Sequence, residues 1–170
     1  MVFSMSLATY TLIHVIISLI GIGSGLVVLF GMFSGKRLDG MTALFLATTA
    51  LTSLTGLGFP FEHVTPGIIL AILSLIVLAI AIPARYSFNM AGKWRSFYVV
   101  TAVIALYFNC VALIGQSFLK IPALHALAPK GNEPPFTIAE GILLVLFIVA
   151  GVLAVKKFRP NATMTAVRAA

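Results

Sequence analysis

Side chains able to do acid–base or ligand chemistry are few in this 170-residue sequence: three histidines, four acids and one cysteine. His14, His63, His125, Glu62, Glu133 and Glu140 fall on one side of the topology set out below, and Asp39 alone falls on the other. Imidazole and carboxylate together suit zinc, copper, nickel or iron. They also suit proton relay, because histidine titrates near neutral pH. The spacing is diagnostic of neither. No HxxxH or ExxH pair occurs, and Glu62 directly precedes His63, so the two do not easily aim at one ion. The expected ligand or ion pocket comprises His14, Glu140, Glu62, His63, Gln116, Asn109 and Tyr10. His14, Glu140 and His63 are its metal-ligand candidates.

Each candidate has a plainer structural reading. His63 and His125 read as loop or surface-helix residues. His14 sits about 10 Å into its span at a rise of about 1.5 Å per residue. It is expected on the bundle interior, hydrogen-bonded to Gln116, Glu140, Glu62 or His63, with Glu140 the favoured partner. Tyr10 is its same-face neighbour one turn away. Haem is half supported: His14 with Gly21 and Gly25 resembles one side of a b-type site, but no second histidine lies inside a span. Haem or a transition metal therefore stays as an alternative cofactor, and none is favoured. Cys110 excludes an internal disulfide and any CxxC site, and reads as a small apolar residue.

The elements that must position these residues are five apolar stretches at 7–33, 41–58, 67–84, 97–118 and 137–155. A bilayer core of about 30 Å needs about 20 apolar helical residues, and each stretch meets or approaches that length. Composition agrees: 61% hydrophobic, 9% charged, mean hydropathy +1.13. The expected fold is an all-α integral membrane bundle of five transmembrane helices, forming one domain over 1–158. The tail, 159–170, is expected to be disordered. Ile121–Ala128 could form a short surface helix, stopped by Pro134–Pro135. The first stretch lacks a basic flank and is too long for a signal h-region, so it reads as a retained span.

Charge placement orients the bundle. If the chain crosses five times, nine of the eleven Lys and Arg residues share one side, and only Lys120 and Lys130 take the other. Positive residues favour the cytoplasm. The N-terminus is therefore expected outside and the C-terminus cytoplasmic, in a bacterial inner membrane. The net charge of +7 sits at helix ends, which argues against nucleic acid. The expected partners are the lipid bilayer and a homo-oligomer or larger membrane complex.

Small and hydroxyl residues at helical spacing mark the packing faces. Ser18, Gly21 and Gly25 extend the His14 stripe, and Gly21 with Gly25 forms a GxxxG pair. Thr48, Thr52 and Thr55 line the second span. Thr101, Ala105, Asn109, Ala112 and Gln116 line the fourth. Asn109, near mid-membrane, needs a hydrogen-bond partner from the span-two threonines or Tyr107. The third span, apolar all round except Ser74, is expected to face lipid most, and the fifth to close the outer part. Helix packing is the plain reading of these stripes; a polar pathway is the functional one. The favoured function is a non-enzymatic accessory or small-ligand/ion-binding protein with an outward-facing polar pocket. The alternatives are a haem- or metal-binding redox module and a transporter subunit; five spans without an inverted repeat do not suggest alternating access.

Overall fold

The computed structural model describes residues 6–61 and 63–160. Among them are six helices and no strand: α1 (Leu7–Phe33), α2 (Asp39–Leu57), α3 (Pro66–Tyr86), α4 (Trp94–Lys120), α5 (Pro122–Leu127) and α6 (Pro134–Lys157). All but α5 are long and apolar enough to cross a membrane.

The helix starts follow local chemistry. The Ser6 hydroxyl accepts from the Thr9 amide at 3.1 Å, occupying an otherwise unpaired first-turn donor, and the Ile68 amide is shared between Thr65 Oγ1 at 3.4 Å and the Thr65 carbonyl at 3.1 Å. Proline opens α3, α5 and α6, where its missing N–H costs nothing. Before α2, Leu38 takes a left-handed conformation, φ 43°, which an L side chain adopts at some cost. Its side chain lies on Gly31, where a Cβ would collide with Leu38 Cδ1. A glycine on α1 thus makes room for the turn into α2.

The helices pack in chain order, α1 on α2, α2 on α3, α3 on α4 and α4 on α6, with α1 also against α4 and α6. In its most apolar stretch α4 is half buried, whereas α6 is only 6% buried. This corrects the expectation for the third span: α3, at 28%, is more enclosed than α6. Ala71, Ser74, Leu78, Ala81 and Ala84 recur on its buried face. In a helix apolar all round, small size marks the packed face, and polarity does not.

The last span meets α4 at its Glu140 end, where the Phe118 and Phe136 rings stand 5.4 Å apart, but it is buried more deeply at the other. Its buried residue is Ala154, near the end opposite Glu140, and Phe158 just beyond is 1% exposed. Arg95 Nη1 donates to the carbonyls of Val155 at 2.8 Å and Phe158 at 2.6 Å, fastening that end of α6 to the start of α4. The core collects Val28, Leu29, Met32, Phe45, Leu106 and Tyr98 toward the same end.

Candidate functional site

At the end carrying the start of α1, one threonine organises the candidate residues. Tyr10 Oη donates to the Thr55 carbonyl at 2.7 Å. His14 Nδ1 lies 2.8 Å from Thr55 Oγ1. That hydroxyl has one proton, and the Leu51 carbonyl, 2.7 Å away, takes it. His14 must therefore donate through Nδ1, which in the neutral ring leaves the lone pair on Nε2. Phe59 stands edge-on to both rings, 4.9 Å from Tyr10 and 5.2 Å from His14. Gly58 permits this corner, because a Cβ there would strike the Tyr10 hydroxyl.

Among the described residues, His14 thus pairs with none of the expected partners Gln116, Glu140 and His63. Glu140 is half-buried on α6 and its Oε1 has no hydrogen-bond partner among the described residues. It lies within electrostatic reach of Tyr107 and Cys110, on α4. Gln116 is exposed, as is His63 in the α2–α3 connection, and Glu62 lies outside the described residues. Glu133 is held by its own loop, accepting from the amides of Lys130 at 3.0 Å and Asn132 at 3.1 Å. Among the described residues, no three His, Cys, Asp or Glu side chains are grouped to hold a metal ion, so His14, Glu140 and His63 do not form one site. The reason is spacing between helices: α2 stands beside α1 and supplies the nearer hydroxyl.

In the middle of the bundle, Asn109 Nδ2 donates to Thr49 Oγ1 at 3.1 Å. Gly21 faces the same place: a Cβ there would lie 3.2 Å from Thr48 Oγ1 and 3.7 Å from Asn109 Nδ2. Gly25 is tighter, with Leu106 Cδ1 at 2.6 Å and the Phe45 ring at 2.8 Å from an added Cβ. Most hydroxyls of the stripes turn back on their own helices: Ser18 to the His14 carbonyl, Ser24 to Ile20, Thr48 to Leu44, Ser53 to Thr49 and Thr101 to Phe97. Such bonds satisfy the hydroxyl without a ligand. Thr52 differs: its Oγ1 is buried and unpartnered among the described residues. On α4, Thr101, Ala105 and Asn109 are buried, whereas Ala112 and Gln116 are exposed, so the stripe leaves the core halfway along the helix.

The other end holds a cluster that sequence reasoning missed. Arg85 follows the apolar stretch 67–84 directly, yet α3 runs through it and its side chain is fully buried. Nη2 donates to Asp39 Oδ1 and to the Arg37 carbonyl at 3.0 Å, and Nη1 donates to Met90 Sδ at 3.1 Å. The guanidinium carbon lies 5.3 Å from the centre of the Tyr98 ring. Arg37 Nε reaches the same Asp39 oxygen at 2.9 Å. One signal was available: Asp39 is the single acid on the basic side.

No family model, curated protein or solved structure matches the chain.

Proposed function

We propose that this chain is a non-enzymatic accessory protein of a bacterial inner membrane, N-terminus outside and C-terminus cytoplasmic, that works by binding a second copy or another membrane subunit. One observation carries this reading. The interior groups with the most chemistry are spent on neighbouring helices: His14 on Thr55, Asn109 on Thr49, and Arg85 on Asp39. Meanwhile α6 presents a nearly complete apolar surface, with Ile138, Ile142, Val145, Leu146 and Val149 exposed. The orientation rests on the distribution of basic residues.

A second reading is favoured by the His14 geometry. A lone pair on Nε2 beside Phe59 suits a small outward-facing ligand carrying an N–H or O–H donor. Lys120 lies within electrostatic reach of the ring, which argues against a cation there.

Gentle detergent extraction from the native membrane tests the accessory reading. The accessory reading expects one discrete assembly larger than the 18.1 kDa chain, without a Soret band or stoichiometric metal. A monomer of that mass overturns it. A Soret band or stoichiometric transition metal overturns it in favour of the redox module.

A further inference from the structure

A groove of about 410 Å³ runs along the seam of α4 and α6. Val100, Ile104 and Tyr107 line it from α4, and Phe147, Gly151 and Lys156 from α6. Along α6 it extends from Leu144 to Lys156, about 18 Å at 1.5 Å per residue. One leaflet of a bilayer core is about 15 Å thick, half of about 30 Å. The groove is therefore about as long as one acyl chain standing in one leaflet. The Tyr107 and Phe147 rings, 5.6 Å apart, narrow its deep part. Gly151 opens its middle: a Cβ there would lie 3.6 Å from Val103 Cγ1, in ordinary contact, and the space beyond is left to the groove.

The other end of the groove is basic. Lys156 lines it and is exposed, and Lys157 and Arg159 follow. The carbonyls ending a helix repel an anion. Here two of them, of Val155 and Phe158, are taken by the Arg95 guanidinium, so the positive groups dominate. An apolar trough of leaflet length with a cation at its polar end matches a lipid whose headgroup is negative.

We propose that the α4–α6 groove binds one anionic glycerophospholipid, with an acyl chain along Ile104 and Gly151 and the phosphate at Lys156. This goes beyond the accessory reading and stands independently of it. A soluble phosphate would gain nothing from the trough, and a zwitterionic lipid less from the lysine, because its own cation offsets its phosphate.

The test is native mass spectrometry of the delipidated full chain, titrated with phosphatidylglycerol or with phosphatidylcholine of the same acyl chains. One phosphatidylglycerol should be retained per chain, at several-fold lower lipid concentration than phosphatidylcholine. Lys156→Gln should reduce that preference about five-fold, the share of one lysine near an anionic surface. Lys93→Gln removes the same charge at the same end of the bundle, outside the groove, and should leave the preference unchanged. Gly151→Phe should weaken retention of both lipids, and Gly151→Ala should not. If Gly151→Phe fails to fold, Ile104→Phe fills the groove from the opposite wall and should have the same effect. Equal retention of the two lipids by the native chain overturns the proposal. So does a Lys93→Gln effect as large as that of Lys156→Gln, because general surface charge would then account for both.

Discussion

Arg85, fully buried at the end of α3, donates to the carboxylate of Asp39, the first residue of α2. A cation enclosed by Tyr98 and Met90 is thereby balanced by an acid whose side chain is still 69% exposed. Removing one partner of a buried charge costs more than removing both. Asp39→Ala should lower stability by about 1.5–3 kcal/mol, the range for a hydrogen bond to a charged group. Asp39→Ala with Arg85→Met should be more stable than Asp39→Ala alone. Unfolding of the purified variants in mixed micelles measures both, and a double variant weaker than the single one refutes the pairing.

The α1 glycines make a graded series. Gly25→Ala should destabilise by about 1–3 kcal/mol through overpacking against Leu106 and Phe45. Gly21→Ala should cost less, since its nearest atom is the Thr48 hydroxyl at 3.2 Å. Gly23, with nothing within 4 Å, should tolerate alanine and gain up to about 1 kcal/mol of helix propensity. Thermal unfolding of the three should give that order.

Thr49→Val should leave the Asn109 amide without its acceptor. Hydrogen bonds between membrane helices are worth about 0.6 kcal/mol on average and up to about 1.7, which sets the expected loss. Asn109→Leu in the Thr49→Val background should then add little, and a large additional loss would show that Asn109 has another partner.

Nitrogen-15 spectra should find neutral His14 protonated on Nδ1, because the Thr55 proton is committed to the Leu51 carbonyl. Thr55→Val should release that preference. A neutral ring protonated on Nε2 in the native chain would reverse the donor assignment.

Orientation is open to direct measurement. A reporter fused after Arg159 should be cytoplasmic, and a cysteine replacing Lys130 should label from outside. Labelling of residue 130 only from the cytoplasmic side would overturn the five-span topology.

Much of the fold was legible because lipid solvent imposes a length rule. The five apolar stretches coincide with α1, α2, α3, α4 and α6 to within about one turn at most ends, and α5 lies where IPALHALA suggested a short helix. Lateral arrangement was less legible. Helical spacing put His14 on one stripe with Tyr10 and Gly21, but spacing within a helix does not say which neighbour stands opposite. Thr55 was assigned to packing, and it is the residue that orients both Tyr10 and His14. The burial of Arg85 was not legible, because a charge just past an apolar stretch ordinarily meets solvent. Its burial depends on Tyr98, Met90 and Asp39, which are distant in sequence or beyond the helix end.

The seam between α4 and α6 is keyed along its length, although little of α6 is buried. Arg95 holds the Val155 and Phe158 carbonyls at one end, Tyr107 meets Phe147 further along, and Phe118 meets Phe136 at the other end. A slip of α6 by one helical turn, about 5.4 Å, would break all three contacts at once. Register on α4 is thus set by a few teeth spaced along the helix and not by a continuous buried face.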